Sequence, residues 1–139
     1  MLTFKQFLNE VARSPERASK LVDNLAKRYA GSAAAKSRPG AIPIKNHQEY
    51  PWDHYPTKSR KKTIDIKDVV ATQGSVDSQI LKNKINNSGM AKDKGEESHA
   101  SDRIDVLHHK GKYFVTNGHH RLMRAKILGH KHISAEVEE

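Results

Sequence analysis

Apolar positions along this chain fall into short runs of two different periods. Ala18, Leu21, Val22, Leu25 and Tyr29 recur at i, i+3, i+4 spacing and predict an amphipathic helix. Ser14-Pro15-Glu16 supplies its start, with Ser14 as N-cap and Pro15 at the first helical position, and Ala30-Gly31 its end. Leu2, Phe4, Phe7 and Leu8 lie near helical spacing and mark a short amphipathic segment over residues 1–10. Residues 31–62 are rich in Ser, Ala, Pro, Gly and Lys and read as a linker. Within them, Tyr50-Pro51-Trp52-Asp53-His54-Tyr55-Pro56 clusters aromatic rings that are expected to pack onto the following domain.

From Thr63 the pattern tightens. Ile64-Asp65-Ile66 alternates as a short strand, and Lys67 to Val70 reads as a turn of helix. A second helix is predicted near Val76–Asn86, with Val76, Ile80, Leu81 and Ile85 on one face. Residues 87–102 carry no periodicity and predict a loop. Ile104 to Leu107 and Lys112 to Val115 are strand-like runs around His108-His109-Lys110-Gly111, a hairpin pattern. A helix over 119–128 stops at Gly129, and Ile133 to Val137 is a last strand. This mixture predicts an α+β fold. Three parts are expected: a leader at 1–10, a helical and basic linker arm at 11–62, and a domain at 63–139.

Composition narrows the chemistry. With 139 residues and 6% aromatics the chain is one domain with an appendage and a modest core. The absence of cysteine excludes disulfides, zinc–thiolate sites and cysteine nucleophiles. Apolar runs are too short for a membrane span, and the first ten residues lack the layout of a secretory signal. The expectation is a soluble, cytoplasmic protein with no membrane partner. Net charge is +9, unevenly spread: residues 1–63 hold 13 Lys/Arg against 5 Asp/Glu, and residues 64–139 hold 12 against 11. Lys27, Arg28, Lys36, Arg38, Lys58, Arg60, Lys61 and Lys62 make the arm basic. Such an arm attracts nucleic acid without regard to sequence, or simply solubilises the chain.

The densest chemistry lies in residues 113–121. Tyr113-Phe114-Val115 drops into Asn117-Gly118, and a basic helix begins at once. Backbone N–H groups at a helix start have no partner within the helix and attract anions. His119, His120 and Arg121 add three candidate cations to that turn, where the macrodipole disfavours positive charge. A phosphate arriving from outside would reconcile the two. His119 and His120, with side-chain pKa values near working pH, are the candidates for general acid–base catalysis. The plainer alternative makes Asn117 an ordinary N-cap beside exposed histidines. His108 and His109 read as solvent-facing, and nothing in the spacing of His130 and His132 demands a metal.

The order strand, helix, Thr72-Gln73, helix, hairpin, Asn117-Gly118-His119-His120-Arg121, helix, Gly129, strand resembles the ParB/sulfiredoxin-like fold. Members carry a Gly-x-x-Arg or Asp-Gly-His-His-Arg turn between strand and helix. The resemblance covers residues 63–139, and its weight lies in YFVTNGHHRLMRAKILGHKHISAEV. It implies a nucleotide (CTP, ATP or ADP, with or without Mg) or a nucleic-acid phosphate held at the turn. Gly118 would admit the phosphate and Arg121 would pair with it. His119 and His120 would donate to its oxygens, with Thr72, Gln73 and Asn117 beside the pocket. Nuclease and phosphotransferase activities are among those the family implies. Asn117 departs from the usual Asp, and an amide cannot serve as a carboxylate base. No cysteine follows the glycine, which excludes the sulfiredoxin reaction.

MLTFKQFLNE in turn resembles the capsid-targeting leader of T-even-like phage internal proteins, cut by the prohead protease after Leu/Ile-x-Glu. Leu8-Asn9-Glu10 fits that rule and implies a cut before Val11. Three functions follow as expectations. One is a phage-encoded ParB-like domain, with nuclease activity in view. Another is a non-enzymatic internal virion protein that binds DNA or a host protein, in contact with phage capsid or prohead protease. The third is a nucleotide-dependent phosphotransferase using Glu96 or Glu97. For a metal, Asp102 and Asp105 are the nearest carboxylates. The leader implies the virion interior as location; without it, the host cytoplasm.

Overall fold

The computed structural model describes residues 14–53, 55–86 and 103–139. Leu8, Glu10, Val11, Glu96, Glu97 and Asp102 lie outside them. The fold is α+β, built from helices and a mixed sheet.

Helix α1 (Pro15–Arg28) forms where the periodicity places it. Glu16 in its first turn and Lys27 and Arg28 in its last complement the helix dipole. The Ser14 hydroxyl makes no capping bond; the Ser14 carbonyl accepts from Ala18 N–H at 2.8 Å instead. The predicted linker then differs from expectation. It contains helix α2 (Ala33–Ser37), whose first turn is capped by the Ser32 hydroxyl accepting from Ala35 N–H, and strand β1 (Ala41–Pro43). Ile42 and Ile44 are buried. Strand β1 pairs antiparallel with β4 (Ser75–Asp77), setting Ile42 opposite Val76. Val76 therefore belongs to a strand, and helix α3 begins only at Ser78, running to Asn86. The Asp77 carboxylate caps α3 by accepting from Ile80 N–H at 2.9 Å. Leu81 and Ile85 face the core, while Ile80 is 44% exposed.

Strand β2 (Ser59–Asp65) starts before the predicted domain boundary. A 3₁₀ turn (Ile66–Asp68) and the two-residue strand β3 (Val69–Val70) replace the helical turn expected at Lys67–Val70. Strands β5 (Ile104–His109) and β6 (Lys112–Asn117) form the expected hairpin. Its turn is confined to Lys110-Gly111, both at positive φ, so His108 and His109 are strand residues. Helix α4 (His119–Ile127) and strand β7 (His132–Glu138) complete the chain, with Gly129 at φ 81° ending α4 as predicted. The sheet order is β2-β7-β5-β6-β3, with β5 parallel to β7, β3 parallel to β6, and the other pairs antiparallel.

Two apolar clusters hold these layers together. One joins α1 (Ala18, Leu21, Val22) to Ile42, Val76, Leu81, Ile85 and the end of α4 at Ile127. The other packs Leu122 and Ala125 of α4 onto the sheet residues Ile104, Val106, Val115 and Val137. Helix α4 is thus wedged between both. Residues 15–44 are part of the same core as the C-terminal half, and the boundary expected at Thr63 does not mark where packing begins.

The basic run has a structural place as well. Lys61 stands opposite Glu136 on β7, and Arg60 pairs with Glu139 at 3.2 Å. Lys58, Arg60, Lys61 and Lys62 are therefore held on or beside an edge strand, not on a free arm. Charge on an edge strand also discourages pairing with another chain. Of the aromatic cluster, Trp52 and Tyr55 are 72% and 83% exposed, contrary to the expectation that it packs away.

Candidate functional site

Strand β6 delivers Asn117 to a left-handed Gly118 (φ 106°), and α4 starts on the next residue. The first helical bond runs from Leu122 N–H to the Gly118 carbonyl, so the amides of His119, His120 and Arg121 precede the helical ladder. Glycine is needed here for packing. A Cβ on Gly118 would sit 2.8 Å from Ile104 Cγ2 and 3.2 Å from Ile104 Cα. Close approach of β5, more than of a ligand, dictates the residue.

The two histidines do something the sequence reading did not foresee. Thr72 N–H donates to His119 Nε2 at 3.0 Å, and Asp77 N–H donates to His120 Nε2 at 2.9 Å. A backbone amide can only donate, so both Nε2 atoms are bare acceptors and each neutral ring carries its proton on Nδ1. Burial lowers the pKa of His119 below the usual 6.5, and the neighbouring His120 lowers it further. Burial also lowers that of His120; Asp77 opposes the shift and Lys84 reinforces it. The expected pair of cations is instead a pair of neutral struts. They tie the start of α4 to the segment before β4 and to the end of β4. The Thr72 hydroxyl strengthens the first tie by donating to the Val115 carbonyl at 2.6 Å.

This arrangement carries a sign for pH. An unfolded histidine titrates near 6.5. Below that, the unfolded chain takes up protons that His119 and His120 in the folded chain refuse. Their contribution to stability is complete above about pH 6.5 and is lost as pH falls from there to their lowered folded values. Urea unfolding at pH 7.5 and 5.5 should show this loss. His119→Gln, whose Oε1 can still accept from Thr72, should reduce it. An unchanged pH slope in both His119→Gln and His120→Gln would contradict the neutral-acceptor arrangement.

All the residues that sequence reasoning assigned to phosphate (Thr72, Gln73, Asn117, Gly118, His119, His120 and Arg121) line one cavity of about 490 Å³. Thr116 and Lys84 complete it. Lys84 was not foreseen; it lies on α3, one turn beyond the core residue Leu81 and beside Ile85. Arg121 donates to the Arg103 carbonyl at 2.8 Å, which uses one of five guanidinium N–H groups and fixes the side chain. Asn117 Nδ2 reaches the Asp105 carboxylate at 3.5 Å, and Gln73 donates to the Ser75 carbonyl. Among the described residues, no carboxylate lines the cavity and no group of three His, Asp or Glu is placed to hold a metal. His132, at the start of β7, sits 2.8 Å from Asp65 and latches β7 to β2.

The basic residues Lys58 to Lys62 are not brought to this cavity. They occupy the β2 end of the sheet, and the cavity lies at the β6–β3 end. Lys62 reaches only the Tyr113 hydroxyl, at 3.4 Å, near the opposite end of β6 from Asn117. No helix among the described residues is long and apolar enough to cross a membrane. In comparisons with known proteins, the chain matches no protein-family model, no curated protein and no solved structure.

Proposed function

We propose that this chain is a ParB/sulfiredoxin-like domain that binds a nucleotide or a nucleic-acid phosphate at Asn117–Arg121 and acts by binding, not catalysis. The observation that carries this reading is the composition of the cavity. Two basic side chains, Lys84 and Arg121, border the first-turn amides of α4, and the described lining residues include no carboxylate. Amides at a helix start and a guanidinium are both strong partners for phosphate oxygens. The Nδ1–H of each histidine adds a neutral donor.

The histidines favour the non-enzymatic alternative over a nuclease or a phosphotransferase. General-base catalysis needs a bare nitrogen that can reach the nucleophile, and both Nε2 atoms already accept from the backbone. The described lining residues offer no carboxylate to replace them. Among the described residues, a magnesium ion fits as companion to a polyphosphate, held by phosphate and water. An internal virion protein that binds DNA or a host factor would use the same surface.

Titration with CTP, ATP, ADP and a short DNA duplex tests the site. Lys84→Gln and Arg121→Ala should each weaken binding about 10- to 100-fold, the range expected for losing one charge-assisted contact. Binding that ignores both substitutions would refute the reading. Arg121 also holds the Arg103 carbonyl, so a urea midpoint measured for each variant separates lost binding from lost stability.

A further inference from the structure

A second cavity of about 330 Å³ adjoins the first and shares Thr72 and Thr116 with it. Its outer wall is Glu49, Tyr50 and Trp52. The rings of Tyr50 and Trp52 meet edge to face, with centroids 4.7 Å apart and planes at 60°. Their segment is anchored: Gln48 N–H donates to the carbonyl of Ala71, the residue before Thr72, and Trp52 N–H donates to the Tyr50 carbonyl. Trp52 nevertheless remains 72% exposed. An indole held in place by a neighbouring ring, yet left open beside a cavity, is a stacking surface without a partner. Flat π-systems such as nucleobases stack on such rings whatever their sequence.

Glu49 adds selectivity. A carboxylate accepts hydrogen bonds and cannot donate them. It complements the exocyclic amino group of cytosine, adenine or guanine, whereas uracil presents only carbonyl oxygens at those positions. Thr72 and Thr116, common to both cavities, lie where a sugar would join base to phosphate.

We propose that this second cavity is the base subsite of a nucleotide whose phosphates lie at Asn117–Arg121. An aminated base stacks against Trp52, and Glu49 accepts from its amino group. This inference rests on the phosphate reading above, and the two can fail separately.

Trp52 is the only tryptophan, so fluorescence excited selectively at tryptophan reports on this cavity. Fluorescence titration of the full chain with CTP, ATP, GTP, UTP and tripolyphosphate should show quenching by the first three. Calorimetry should find at least one of them bound about tenfold more tightly than tripolyphosphate or UTP. Trp52→Ala should bring that nucleotide down to the affinity of tripolyphosphate while leaving tripolyphosphate itself unchanged. Glu49→Gln should narrow the gap to UTP, since an amide can also donate to a carbonyl. Equal affinity for nucleotides and tripolyphosphate, or indifference to Trp52→Ala, would overturn the base subsite and leave the phosphate site standing. Trp52-dependent nucleotide binding that is insensitive to Lys84→Gln, without any tripolyphosphate binding, would do the reverse. A 5′-phosphorylated oligonucleotide that displaces the mononucleotide would identify a strand end as the source of the base; failure to displace it would identify a free nucleotide.

Discussion

Gly118→Ala should destabilise the chain by about 2–5 kcal/mol, with a matching fall in its urea midpoint. Two costs add at this position. A φ of 106° strains any residue with a Cβ, which accounts for roughly 1–2 kcal/mol. The new Cβ would also lie 2.8 Å from Ile104 Cγ2 and 3.2 Å from Ile104 Cα. In a loose site the Ile104 methyl would yield, but Ile104 is fully buried in the cluster shared with Leu122 and Val106. Its Cα is part of a strand paired with β7. Overpacking of this kind typically costs about 1–3 kcal/mol. Gly111→Ala is the control. It too has a positive φ (79°), but nothing lies within 4 Å of its would-be Cβ. It should cost only the conformational share, and equal losses in the two variants would show that Ile104 is irrelevant.

The contrast between those glycines also marks what a sequence can and cannot reveal. The β6–Gly118–α4 unit was legible because its signals are local: a strand-like run, an Asn-Gly step, and an apolar helical face ended by Gly129. Helix α1 was legible for the same reason. Strand β1 was not, since three residues acquire strand geometry only by pairing with β4, more than thirty positions away. That pairing also claims Val76, which helical spacing had attached to α3. Phosphate candidates were named correctly as neighbours, because Thr72-Gln73 and the Asn117–Arg121 turn do share a cavity. Their protonation was not legible. Adjacent His, His and Arg look like three cations until the fold aims two imidazoles at the amides of Thr72 and Asp77. Likewise, Lys58 to Lys62 look like a free arm until the acidic end of β7 is seen beside them.

The sharpest consequence concerns the boundary. A fragment of residues 63–139 contains every residue nominated for phosphate, yet it should neither unfold cooperatively nor bind nucleotide. Without α1 and β1, it loses Leu21, Val22, Ile42 and Ile44, all buried in the full chain. Burial of such side chains stabilises by about 1.5–3 kcal/mol each, and four of them rival the roughly 5–15 kcal/mol net stability of a small domain. The faces left behind on Val76, Leu81, Ile85 and Ile127 would open to water. Strand β4 would lose its partner, and with it the placement of Asp77 N–H that holds His120. Lys84 would move with α3, so the cavity would lose a cation along with its geometry. Circular dichroism melts and nucleotide titration of the fragment against the full chain test this directly. A cooperative transition at the full chain's midpoint would show that the first core is dispensable. Failure of both folding and binding would place α1 and β1 among the elements that build the phosphate site, although neither lines it.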